Sequence, residues 1–310
     1  DGEIVSHFSA GAVDLENIDA TDERGALIFT ENQEGRLREP DAVAWIDDTH
    51  FATANEGDYS GGSRSWTIFN KDGSVVYESG TDFEHAIVQI GHYPDKRSDS
   101  KGVEPESVTF DVFNGTPYVF VGAERASVVG VYNVTNPAAP VLEQLLSSGV
   151  GPEGYVTIPS HNLLVSANEK DLIEDGGARA HVMIFEQQEA PAVYPHLTSE
   201  GMDELTGWGA VHYEKAEPAK GWVGLSEITA HGDYVYIIER DNQHDERAVT
   251  KKIYRVALSE MVPAPLGGEL PVVKKELVRD LIPDLTSTGG YVLDKVEGLA
   301  IFEDGTAIYS

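Results

Sequence analysis

The sequence predicts an all-β chain, a β-propeller of four-stranded antiparallel blades, on three observations. Apolar residues come in runs of four to seven, rich in Val, Ile, Tyr and Phe and separated by turn residues, as in short strands. One shape recurs five times: an acid opening an apolar strand, a turn, a second apolar strand and a closing acid. Turn residues suited to hairpins fall midway in each copy, which sets the two strands antiparallel.

The first copy opens at Pro40-Asp41, turns at Asp47-Asp48 and closes at Ala54-Asn55-Glu56. Two more strands follow it, Ser65–Phe69 and Ser74–Tyr77, joined by Lys71-Asp72-Gly73. The second opens at Pro105-Glu106, turns at Asn114-Gly115 and closes at Ala123-Glu124-Arg125, with strands at Tyr118–Val121 and Val128–Tyr132. The third runs from Pro152-Glu153 through Ser160-His161-Asn162 to Ala167-Asn168-Glu169. The fourth runs from Ser226-Glu227 through Gly232-Asp233 to Ile238-Glu239-Arg240, with strands Tyr234–Ile238 and Lys252–Val256. The fifth opens at Val296-Glu297, turns at Glu303-Asp304-Gly305 and reaches Ser310 before it closes. Successive opening acids stand 65, 47, 74 and 70 residues apart, the length of a four-stranded blade with some long loops. Helical signals are confined to short stretches at Leu142–Leu146 and Glu200–Leu205. The expectation is one propeller domain over residues 1–310, with blades starting near 38, 103, 150, 223 and 294. The first 37 residues then supply leading strands, and sequence beyond Ser310 completes a ring of six or seven blades.

Composition excludes several functions. The 310 residues carry 53 acidic and 22 basic side chains, a net charge of −31, which repels phosphate backbones and argues against nucleic-acid binding. With 41% hydrophobic residues and 31 glycines the composition is globular. The absence of cysteine removes disulfides, thiolate metal sites and thiol nucleophiles. No apolar run approaches the 18 or so residues that insertion into a membrane needs. The start at Asp1, with neither Met nor an apolar leader, suits a processed or trimmed product. Nucleophile-elbow, zinc-protease, phosphate-loop and EF-hand signatures are missing, and the histidines are scattered.

The repeated acids carry the chemistry. A residue opening the first strand of a hairpin and one closing the second sit at the same end. Asp41/Glu56, Glu106/Glu124, Glu153/Glu169 and Glu227/Glu239 are therefore expected as same-end pairs, with Glu297 opening a fifth. So many carboxylates at one mouth need bound cations, basic partners (Arg125, Arg240, Lys251, Lys252) or raised pKa values. An oxygen-rich site of this kind suits Ca²⁺. The plainer alternative is that the acids accept backbone N–H groups of neighbouring blades. Two stretches stand out locally. Ile238–Asn242 combines a strand end, oxygen ligands including Asp241, and Arg240, which can hold a substrate anion. The glycine-rich loop Asn55–Arg64 carries Glu56, Asp58 and Arg64, able to bind an ion or an anion, or serves as an ordinary inter-strand loop.

Glu39–Trp45, Ala54–Asp58, Lys101–Glu106, Phe120–Arg125 and Gly149–Gly154 resemble secreted bacterial propeller proteins of alkaline-phosphatase-like or choice-of-anchor type. Gly224–Glu227, Tyr236–Asp241, Lys252–Arg255 and Lys295–Leu299 are similar to the phytase-like domain described as having esterase-like activity. The resemblance covers roughly residues 38 to 310. It implies a calcium-dependent hydrolase of phosphoesters, secreted, periplasmic or on the surface of a Gram-negative bacterium. Carried onto this chain, it makes Glu106, Glu153, Glu227, Glu239, Asp241 and Glu297 metal-ligand candidates. Glu227, Glu239 and Arg240 become the catalytic candidates, and Arg125, Arg240, Lys252 and the loop's Arg64 the substrate-binding ones. The competing expectation is a non-catalytic, calcium-stabilised extracellular propeller whose partner is a protein or glycan rather than a small phosphoester.

Overall fold

The computed structural model describes residues 4, 6–23, 26–187, 208–216, 222–262, 264, 270–287, 292 and 295–309. Among these the chain is all-β, with four four-stranded antiparallel sheets and two two-stranded ones. It divides into two compact units, residues 1–152 and 153–310.

In the first unit the leading residues form a hairpin of their own, β1 (Ala12–Ile18) with β2 (Glu31–Leu37). The first blade follows as β3 (Ala42–Trp45), β4 (His50–Ala54), β5 (Trp66–Asn70) and β6 (Val75–Glu78), each strand paired with the next. Helix α1 (Asp82–Gln89) leads to the second blade: β7 (Pro105–Phe113), β8 (Thr116–Ala123), β9 (Val128–Asn133) and β10 (Val141–Ser147). The turn between β7 and β8 has φ of 49° at Asn114 and 82° at Gly115, which only such residues tolerate side by side. The expected helix at Leu142–Leu146 is instead strand β10, paired with β9. Its alternating half-buried pattern is that of a strand against a sheet edge, and pairing overrides a weak helical preference.

The two blades pack face to face. Ala52, Ala54, Trp66 and Ile68 of the first meet Val119, Val121, Ala123 and Tyr132 of the second, with Phe83 and Ile87 of α1 sealing the core. Small alanines on β4 leave room for the Trp66 ring, whose centroid lies 4.6 Å from that of Tyr132. Each large side chain buried in this way contributes about 1.5–3 kcal/mol.

The second unit repeats the plan. Its first blade is β11 (Pro152–Ile158), β12 (Leu163–Asn168), β13 (His181–Glu186) and β14 (Trp208–Val211). The next is β15 (Val223–His231), β16 (Tyr234–Asp241), β17 (Lys251–Ala257) and β18 (Lys275–Asp280). Val165, Ala167, Val182 and Ile184 pack against Leu225, Ile228, Val235 and Ile237. After α2 (Ile282–Thr286) comes the hairpin β19 (Leu299–Ile301) with β20 (Ala307–Tyr309). Its Leu299 packs with Ile238 and Ile253 of the preceding blade. The expected helix at Glu200–Leu205 and the terminal Ser310 lie outside the described residues. Among the described residues no helix is long and apolar enough to cross a membrane.

Candidate functional site

The strand registers bring the repeated acids to matching hairpin ends. In the first blade Ala42 pairs with Ala54, so Asp41 and Glu56 flank one end. Burial, together with the nearby charges of Asp58 and Asp41, pushes the Glu56 carboxyl above its ordinary value, although Lys101 pulls the other way. In the second blade Pro105 pairs with Ala123, and carboxylate oxygens of Glu106 and Glu124 come within 4.8 Å of each other. In the third, Glu153 and Glu169 share a direct carboxyl–carboxyl hydrogen bond.

The fourth blade departs from this plan because its acids stand one place out of step: with the same bulge as the second blade, Glu239 takes the position of Ala123 and Arg240 that of Glu124. Leu225 pairs with Glu239 and Glu227 with Ile238, so an extra residue separates the two acids in register. Side chains alternate along β16, so Glu239 points with Ile237 toward the β11–β14 sheet, and Arg240 points with Ile238 toward the β19–β20 hairpin. Glu239 is buried there, accepting the Ala216 N–H at 2.9 Å and a proton from Lys275 Nζ. The Lys275 ammonium lies 4.7 Å from the Tyr213 ring and 4.3 Å from that of Tyr254. Glu227 folds back, its Oε1 accepting its own neighbour's Ile228 N–H at 2.8 Å. Gly154 leaves room beside it, since a Cβ there would sit 2.6 Å from that oxygen and displace the carboxylate.

Arg240 thus occupies the place that a closing acid takes in the other blades. It is fully buried, with Nη2 3.6 Å from Glu169 Oε1 and 3.4 Å from Glu297 Oε1. The guanidinium lies 4.8 Å from the Trp222 ring, and among the described residues its Nε and Nη1 find no hydrogen-bond acceptor. Lys170 pairs with Glu169, and Lys295 with Glu297 at 3.2 Å. Burial works to raise the Glu169 carboxyl, but Lys170 and Arg240 outweigh it and hold it below the ordinary range. Within the second unit this gathers Glu153, Glu169, Glu297 and Arg240 into one cluster. Glu297 is the exposed member, at 46% of its side chain.

The other expected site residues stand apart from that cluster. Asp241 is buried, with its oxygens accepting from Lys251 Nζ at 2.8 Å and from the N–H groups of Gln243, Val249 and Thr250. Lys252 sits on β17 opposite Glu239, half-buried. Arg64 is buried at φ 57° and donates to the carbonyls of Asp19 and Ser98. Its charge lies 3.5 Å from Glu84, a partner invisible in the glycine-rich loop alone. Arg125, 34% exposed, binds Glu104 at 3.0 Å and Glu124 at 2.6 Å. Glu104, which sequence reasoning missed, is completely buried and also pairs with Arg97. Lys101 bridges Glu56 at 2.7 Å and Asp58 at 2.5 Å. Basic partners therefore answer much of the crowding among the acids, and raised pKa values answer part of it.

Two closing residues do a different job. Asn55 is buried and donates to Ser65 Oγ and Thr67 Oγ1, while Asn168 donates to the Ser166 and His181 carbonyls. Each ties the second strand of its blade to the third. Their recurrence one residue before Glu56 and Glu169 was the available signal.

The family described as phytase-like, esterase-like activity of phytase, matches residues 7–309. No curated protein sequence matches the chain. Among solved structures, Kuenenia stuttgartiensis hydrazine synthase is similar with a TM-score of 0.48 and 10% identity, over 88% of this chain and 56% of that one. A Bacteroides uniformis protein provisionally described as a 6-phosphogluconolactonase gives 0.47 and 10%, over 97% and 75%. A Lactobacillus plantarum protein gives 0.47 and 13%, over 91% and 66%. The chain thus spans little more than half the length of the first of these.

Proposed function

The chain belongs to the phytase-like family, and from that premise we propose that it is a calcium-dependent hydrolase of small phosphoesters, phytase-like or alkaline-phosphatase-like, exported by a Gram-negative bacterium to its periplasm, surface or surroundings. The observation carrying this reading is the direct contact of the Glu153 and Glu169 carboxyls beside Arg240. Two carboxyl groups that close must share a proton or a cation. The donor set fits calcium, which takes oxygen ligands in flexible geometry, and the exposed Glu297 offers a third carboxylate on the same guanidinium. Glu153, Glu169 and Glu297 would hold the ion. Asp241 and Glu239, already engaged by Lys251 and Lys275, would hold the blade together instead. When bound, calcium supplies neutralising charge for phosphoryl oxygens. Among the described residues Arg240 keeps N–H groups without an acceptor beside the cluster, where they favour an anion, and its guanidinium lies over the Trp222 ring. Glu227, half-buried near Gly154, is the nearby carboxylate able to take a proton.

The test is turnover of p-nitrophenyl phosphate by the whole chain in calcium and in chelator. Calcium-dependent turnover, lost in Glu169→Gln and Glu153→Gln while circular dichroism is unchanged, is the expected result. A folded chain that turns over no phosphoester in calcium overturns it. A second reading has its own support, because most of the recurring acids already have basic partners within the chain. On that reading the protein is a non-catalytic, calcium-stabilised extracellular or surface propeller that binds a protein or glycan. Calcium then raises the melting temperature without any turnover.

A further inference from the structure

Lys170 follows Glu169 in the chain, and its ammonium pairs with Glu169 Oε2. Arg240 meets the other oxygen of the same carboxylate, with Nη2 3.6 Å from Oε1. The two cations differ in freedom. The Arg240 side chain is 0% exposed, whereas that of Lys170 is 35% exposed. Lysine also carries a compact charge on a flexible four-carbon stem, so the ammonium moves while the backbone stays in place. We propose that Lys170 is a tethered competitor for the cation of this cluster, holding Glu169 until calcium displaces it. This role rests on the calcium reading above and adds to it a control built into the chain.

Charge makes the two cations exclusive. A carboxylate oxygen that accepts from an ammonium has to shed it before it serves as a metal ligand. The linkage is reciprocal: whatever affinity the ammonium has for Glu169 is subtracted from that of calcium. Lys251 shows the opposite case within the same unit. Its side chain and that of Asp241 are both 0% exposed, and it donates to the carbonyls of Asp241 and Gln243 as well. That ammonium is locked in place as a permanent cation. Lys170 stands at the solvent edge of its carboxylate and is free to leave.

The chain also offers the displaced charge a second place. Lys170 Nζ lies 5.8 Å from the centroid of the Trp222 ring, within reach of a cation–π contact, and that residue is 38% exposed. Gly224 makes this arrangement possible. A Cβ there would sit 2.5 Å from Trp222 Cζ3 and 2.8 Å from Glu169 Cγ. The bare backbone lets the indole lie beside the carboxylate. An ammonium released from Glu169 therefore keeps an aromatic neighbour and gains water, and the indole sits where it senses the exchange.

The experiment is calorimetric titration of the whole chain with calcium chloride, for the wild type, Lys170→Met, Lys170→Arg and Lys274→Met. Lys170→Met should tighten calcium binding about tenfold, the worth of one charge-assisted hydrogen bond, or show binding where the wild type has none. Lys170→Arg keeps the charge and should stay close to wild type. Lys274, exposed just before β18, removes the same charge elsewhere and should leave the affinity unchanged. Tryptophan emission is the second readout. Calcium should shift the emission of the wild type, and the shift should be absent in Trp222→Phe, which keeps the other three tryptophans. Wild-type calcium binding that Lys170→Met leaves unchanged or weakens overturns the proposal while the calcium reading stands. Tightening by Lys274→Met as large as that by Lys170→Met does the same. If neither the wild type nor Lys170→Met binds calcium, both fall.

Discussion

Replacing Asp241 by asparagine separates a structural from a metal-binding role for this residue. Asp241 and Lys251 form an ion pair in which both side chains are 0% exposed. The carboxylate also accepts three backbone N–H groups, and the ammonium donates to the carbonyls of Asp241 and Gln243. Asp241→Asn keeps the shape but leaves the Lys251 charge buried without its counter-ion, which costs about 3–5 kcal/mol. For a unit of this size that is a fall in melting temperature of roughly 6–20 °C. Urea denaturation followed by circular dichroism measures it, in calcium and in chelator. Because the ammonium already fills the place of a cation, the loss should be the same in both. Lys251→Met combined with Asp241→Asn should recover much of it, since a buried pair replaced by uncharged groups is often neutral. The pH dependence follows from sign. Burial works to raise the Asp241 carboxyl, but Lys251 and the backbone N–H groups outweigh it and depress its folded pKa. The stability it contributes is present above the unfolded value of about 3.9 and is lost as pH falls through the lower folded one. A loss below about 1 kcal/mol, or one seen only with calcium, would refute this reasoning.

Two further outcomes follow from burial. Trp66→Ala should cost about 3–5 kcal/mol in chemical denaturation, because the ring is 0% exposed between the blades of the first unit and against Tyr132. Glu84 is completely buried and its carboxyl is raised, by burial first and despite Arg64. Between the unfolded value of about 4.3 and the higher folded one the native state binds the proton more tightly, so stability should decline with pH over that window. Glu84→Gln should flatten this slope, as melting temperatures across pH would show.

Much of the blade pattern was legible because it is written in neighbouring residues. Tyr234–Ile238 and Lys252–Val256 read as strands from their own side chains, and Asn114-Gly115 as a turn from its backbone freedom. Leu142–Leu146 was not legible, since five mostly apolar residues suit a helix or an edge strand equally until β9 is there to pair with. Of the candidate site, the gathering of acids at blade ends was legible and their partners were not. Lys275 reaches Glu239 across 36 residues, Arg240 reaches Glu297 across 57, and Glu104 carries no repeat signature at all.

By itself, then, the sequence determined the strand and turn content, the blade unit and which end of each hairpin is acidic, all properties of local period and turn chemistry. The tertiary structure decided which acids face which cations. Alternation along β16 sends Glu239 to one face of its blade, against Lys275, and leaves Arg240 among the carboxylates on the other. A single-residue shift in register exchanges the two faces of a strand, and the composition of the strand does not record which face each residue takes.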